Sequence, residues 1–96
     1  MSAYFLVEIE TVDAQAMAEY RALIPPVVQA FGGRFLVRGG ACETLEGDWV
    51  PPRLVVLEFP DLATARAFYD SELYAPLKQL RLRAGRSRLV LVEGVP

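Results

Sequence analysis

The 96 residues predict one α+β domain, a four-stranded antiparallel sheet carrying its helices on a single face. Three observations carry that expectation. Short runs rich in β-branched and aromatic residues alternate with apolar stripes of helical period, in the order β-α-β-β-α-β. The length suits one compact core and no second one. Counted on the usual set, with Gly in and Tyr out, the apolar share is about 56%, above the roughly 45–50% of an average domain, so a surface beyond the core asks for cover. No repeat, low-complexity tract or linker interrupts the chain, and residues 1–96 are read as a single domain.

Residues 3–10 (AYFLVEIE) read as the first strand, with Ala3, Phe5, Val7 and Ile9 on one wholly apolar face and Tyr4, Leu6, Glu8 and Glu10 on the other. A helix then opens on Asp13 as N-cap and carries Met17, Tyr20, Ile24, Val27, Val28 and Phe31 at helical spacing. Pro25-Pro26 lie within that stripe and predict a break near Ile24, because an interior proline lacks a donor and crowds the preceding turn. Gly32-Gly33 end the helix. The second strand is 34–38 (RFLVR), with a bulge or bend at Gly39-Gly40 and a continuation through CETLE to a turn at Glu46-Gly47-Asp48. The third strand is Arg53–Phe59. A second helix starts on Asp61 as cap, is interrupted at Asp70-Ser71, and resumes from about Glu72 to Ala84; the last strand runs from Arg88 to about Glu93.

Right-handed crossovers of both helical segments put them on the same side of the sheet, which defines a ferredoxin-like domain. The other sheet face carries Tyr4, Leu6, Leu54, Val56 and either Val90 or Leu91, too apolar to leave in water. Face-to-face packing of two such sheets covers both, so a homodimer is expected.

The absence of histidine and the single Cys42 exclude a Ser-His-Asp triad, a Cys-His pair, an ordinary zinc site and an intrachain disulfide. No cofactor is expected, and the chemistry on offer is that of Arg, carboxylate and Tyr. The net charge of −2 argues against nucleic acid, and the basic run Lys78, Arg81, Arg83, Arg86, Arg88 reads as the solvated face and C-terminal end of a helix. No apolar run approaches the ~20 residues a membrane span needs. MSAYFLVEIE has neither the basic start nor the cleavage site of a signal peptide, and the thiol is unpaired, so the cytoplasm is the expected compartment.

Several blocks in order, GGRFLVRGG (32–40), LEGDW (45–49), RLVVLEFP (53–60), ARAFYDSELY (65–74) and VLVEG (90–94), resemble an uncharacterised bacterial family, the domain-of-unknown-function family numbered 1330. The resemblance covers essentially the whole chain and implies a dimeric α+β barrel. It implies no activity. The wider superfamily includes cofactor-independent monooxygenases, muconolactone-type isomerases, haem enzymes and ligand binders; haem members commonly use a proximal His that this chain lacks.

Strand alternation places Arg34 and Arg38 on one face, Leu54, Val56 and Glu58 on one face, and Glu8 with Tyr4. If these are the faces that the dimer buries, two arginines and two glutamates lie among apolar side chains. In one reading this is a pocket between sheet and partner chain. There Arg34 or Arg38 anchors a substrate carboxylate or enolate, and Glu58 or Glu8, its pKa raised by burial, acts as general base. In the other, the charges are structural Arg–Glu pairs that fix the register of sheet and dimer. Trp49, with Arg53 nearby, is expected either to cover the pocket mouth or to pack its loop on the partner. A small carboxylated or enolic metabolite is the expected ligand, and a non-catalytic dimeric module is the alternative.

Overall fold

The computed structural model describes residues Met1–Pro96. The elements are β1 (Ala3–Thr11), α1 (Ala14–Ala30), β2 (Arg34–Arg38), β3 (Leu54–Phe59), α2 (Leu62–Tyr69), α3 (Ala75–Ala84) and β4 (Gly85–Glu93). The four strands form one antiparallel sheet in the order β2-β3-β1-β4, the arrangement of a ferredoxin-like domain. All three helices cover one face. The core lies between them and the inward residues Ala3, Phe5, Val7 and Ile9 of β1, Val55, Leu57 and Phe59 of β3, and Leu89 and Leu91 of β4. Phe68 of α2 binds the layers together, its ring centroid 4.9 Å from Phe59 and 4.5 Å from Tyr74.

Asp13 and Asp61 cap α1 and α2 as their sequences require, accepting from the backbone N–H of Ala16 at 3.1 Å and of Thr64 at 2.7 Å. Gly32, at φ 74°, closes α1 in a Schellman motif: its N–H donates to the Gln29 carbonyl and that of Gly33 to the Val28 carbonyl. α3 starts at Ala75, later than the expected Glu72. Residues 71–74 instead form a turn held by Ser71, and Pro76 sets the first helical turn.

Two expectations are corrected. The predicted break at Pro25-Pro26 does not occur; α1 runs unbroken through both prolines. The buried stripe Met17, Tyr20, Ile24, Val27 and Val28 holds the helix on the sheet across the missing hydrogen bonds. CETLE does not extend β2. β2 lies at the sheet edge, Gly39 turns the chain at φ 72°, and residues 40–50 run as an exposed loop without a strand partner.

Candidate functional site

The site residues expected from the sequence are divided between the two sheet faces by one extra residue. Arg34 lies opposite Glu58 and Phe35 opposite Leu57, but Val37 then lies opposite Val56 and Arg38 opposite Val55. Leu36 is the inserted residue of a β-bulge, and beyond it the alternation is inverted. Arg34 therefore stays on the outer face, whereas Arg38 turns to the helix side. The expectation that the two arginines share a face is corrected by this bulge, which sits ahead of the glycines where it was sought.

On the outer face, Val37, Val56, Leu6 and Val90 form an apolar row across all four strands. Val90 rather than Leu91 faces outward. Leu6 is 42% exposed and Val90 58% exposed. Ion pairs stand on either side of the row. At one end Arg34 Nε lies 2.6 Å from Glu58 Oε1, and the Tyr4 hydroxyl donates to Glu58 Oε2 at 3.2 Å. At the other, Arg88 meets Glu8 at 2.8 Å and the Trp49 indole N–H donates to Glu8 at 2.6 Å. Glu8 lies opposite Leu54 and Glu58 opposite Tyr4, four residues apart along the strands, so the two carboxylates do not meet. Both have lowered pKa values. The Trp49 hydrogen bond leads the effect on Glu8, followed, after an opposing contribution from burial, by Arg88. The Arg34 hydrogen bond leads on Glu58. A general base raised by burial is not what these surroundings make of either residue; they hold the charged form. Trp49 lies over this outer face, in a groove with Leu6, Leu54, Arg88 and Val90, and so does not cover the cavity that Arg53 lines.

That cavity lies on the other side of the sheet, between strands and helices. Its volume is about 40 Å³, it opens to solvent at the mouth, and most of its lining is apolar, with Phe5, Val7, Ile24, Val55 and Leu57 among the walls. Arg21, Arg38 and Arg53 also line it. The chain's ion pairs are Arg34–Glu58, Arg66–Asp70, Arg86–Glu10 and Arg88–Glu8, so none of these three arginines has a carboxylate partner.

Arg38 and Arg53 are held by backbone features. Pro25 has no N–H to give the Arg21 carbonyl four residues earlier, and Arg38 Nη2 donates to that carbonyl instead, at 2.5 Å. The Arg38 guanidinium also lies 4.5 Å from the Phe35 ring centroid. Arg53 passes over Gly39, where a Cβ would displace its guanidinium, and the positive φ at that position favours glycine. Burial lowers the Arg53 pKa, and the nearby charges of Arg21 and Arg38 lower it further.

The inner end holds Tyr20, Tyr74 and Arg81. Arg81 was expected on the solvated face of its helix and is instead 4% exposed. Its spacing from Leu77 and Ala84 sets it on the buried stripe of α3, a signal present in the sequence. Arg21 was legible too, as the residue whose carbonyl Pro25 strands.

Comparisons with known proteins agree with this architecture. The chain is similar over 99% of its length to RPA0582, a protein of unknown function from Rhodopseudomonas palustris, at 20% identity and a TM-score of 0.77, covering 83% of that chain. It is similar to a dimeric ferredoxin-like protein of unknown function from Jannaschia sp. CCS1, at 20% identity and a TM-score of 0.74, over 98% of this chain and 100% of that one. It also shares its fold with SnoaB, a cofactor-independent oxygenase from Streptomyces nogalater, at 14% identity and a TM-score of 0.58, covering 99% and 94% of the two chains. No curated protein matches the chain significantly. The family model for a domain of unknown function (DUF1330) matches residues 2–95, and the chain belongs to that family.

Proposed function

We propose that the protein is a homodimer whose protomers each bind a small, largely apolar carboxylate or enolate in the cavity between sheet and helices. The observation that carries the reading is the convergence of Arg21, Arg38 and Arg53 on an apolar cavity with no carboxylate partner among them. Three guanidiniums this close repel one another, and an anion at the mouth relieves all three at once, with bidentate geometry available at each. The walls favour a ring or branched chain behind the anionic group. Chemistry on the bound molecule needs no redox cofactor in this reading. That a cofactor-independent oxygenase has the same fold supports the idea that side chains alone suffice on such a scaffold.

In this reading Arg38 has the anion-binding role the sequence suggested for it, and Arg53, expected beside Trp49, shares it. Arg34, Glu58 and Tyr4, and separately Glu8 with Trp49, take the structural one: satisfied ion pairs and hydrogen bonds flanking an apolar row. That row is the surface we assign to the second copy of the chain, a reading supported by the Jannaschia protein's description as dimeric.

A melting-temperature screen tests the anion site. Benzoate and similar apolar carboxylates are expected to stabilise the wild type, and much less the Arg53→Ala variant. Equal shifts in the two proteins would remove the arginines from the reading, and no shift with any carboxylate would remove the site.

A further inference from the structure

The inner end of the cavity carries a polar group that the mouth arginines do not explain. The hydroxyl oxygens of Tyr20 and Tyr74 lie 3.1 Å apart, and Arg81 Nε donates to the Tyr74 hydroxyl at 3.2 Å. Arg81 Nη1 donates to the Ser87 hydroxyl. Tyr74 is 2% exposed, Arg81 4% and Tyr20 9%. Counting protons exposes a surplus. The two phenols own two hydroxyl protons; one is used between them, whichever ring donates, and the structure gives the other no protein acceptor. Arg81, moreover, is a buried guanidinium whose partners are both neutral hydroxyls; it has no ion pair. A buried charge without a counter-charge and a buried donor without an acceptor are each costly, and both line the same cavity.

The sheet sets the span between the two ends. The Ile9 N–H donates to the Arg53 carbonyl, and on its other side Ile9 lies opposite Ser87. Arg53 and Ser87 are thus two strands apart, roughly 10 Å between backbones. Arg53 and Arg81 both line the cavity, one toward each side of this span.

We propose that Tyr20, Tyr74 and Arg81 form a second subsite, which receives an oxygen acceptor at the end of the ligand remote from its mouth-bound anionic group. The proposal rests on the reading of the cavity as an anion site and adds the ligand's second functional group. The ligand class is a compact, ring-sized molecule with an anionic group at one end and a phenol, enol or second carboxylate oxygen at the other. Tyr20 and Tyr74 supply the donor, and Arg81 supplies the charge that the acceptor faces.

Calorimetric titration of benzoate, 4-hydroxybenzoate and terephthalate into the wild type and Tyr20→Phe/Tyr74→Phe tests it. At least one of the two-ended anions is expected to bind the wild type about ten-fold more tightly than benzoate does. A gain for 4-hydroxybenzoate identifies a phenol-like or enol-like group, and a gain for terephthalate a carboxylate. In Tyr20→Phe/Tyr74→Phe, which removes both hydroxyl donors, the gain is expected to collapse while benzoate affinity stays within about two-fold. If benzoate binds but neither two-ended anion binds more tightly, or if the gain survives in Tyr20→Phe/Tyr74→Phe, the inner subsite is overturned and the mouth site stands. If none of the three binds the wild type, both readings fall. Should the variant not fold, the ranking of the three anions on the wild type decides alone.

Discussion

Arg53 is the side chain on which the anion site depends most, since it is half-buried and feels the charge of Arg21 and Arg38. Its position depends on a residue with no side chain. Gly39→Ala forces the guanidinium away and strains a backbone held at φ 72°, so it is expected to weaken carboxylate binding about as much as Arg53→Ala does. Calorimetry with benzoate checks this. A Gly39→Ala protein that folds and binds like the wild type would show that Arg53 is not held as described. At this scale the sequence displayed the participants but not their grouping. Arg34, Arg38, Glu8 and Glu58 all stand on strands, as alternation requires. What alternation could not show was that a single inserted residue, Leu36, sends Arg38 to the opposite face from Arg34.

Among the elements, α1 joins packing to the site. Its prolines were legible as a disturbance, and the disturbance is real, yet it surfaces as an orphaned carbonyl at Arg21 rather than as a broken helix. The stripe that keeps the helix intact depends on tertiary contacts, which local propensity does not contain. A double-mutant cycle follows from this arrangement. Arg38→Ala in the native sequence leaves that carbonyl without its protein donor and is expected to cost about 0.5–1 kcal/mol. In a Pro25→Ala background the restored N–H occupies the carbonyl, and the cost of Arg38→Ala is expected to shrink to that of its contact with the Phe35 ring. Urea melts of the four proteins measure it, and strictly additive effects would contradict the link. α3 shows the converse error. Its arginines were read together as a solvated cluster, although Arg81 shares a stripe with Leu77 and Ala84, and heptad spacing from Tyr74 puts both on the cavity side.

The whole molecule is a half-sandwich: helices on one side of a four-stranded sheet, and on the other an apolar row between two sets of ion pairs. The element order, the inward face of β1 and both aspartate caps were legible because each is a local pattern repeated over several residues. The cavity was not, because it arises where distant segments meet. Sedimentation is expected to give a mass near twice the 10.7 kDa of one chain, and Leu6→Glu with Val90→Lys to bring it near 10.7 kDa. A wild-type monomer at micromolar concentration would contradict the assignment of the outer face. The ion pairs predict an acid limb to stability. Glu8 and Glu58 have folded pKa values below the ordinary 4.5, so their contribution is complete above that value and is lost as the pH falls through their lowered values. Melting temperatures in the range below pH 4.5 are expected to fall less steeply in Glu8→Gln/Glu58→Gln than in the wild type; parallel curves would mean the pairs add nothing to the fold. The central claim, that the cavity behind Arg53 holds a small organic anion, is tested most directly by a crystal structure of the protein soaked in benzoate. The carboxylate is expected between Arg38 and Arg53 with its ring against Val55 and Leu57; an empty cavity, or benzoate bound only on the outer sheet face beside Trp49, would contradict that claim.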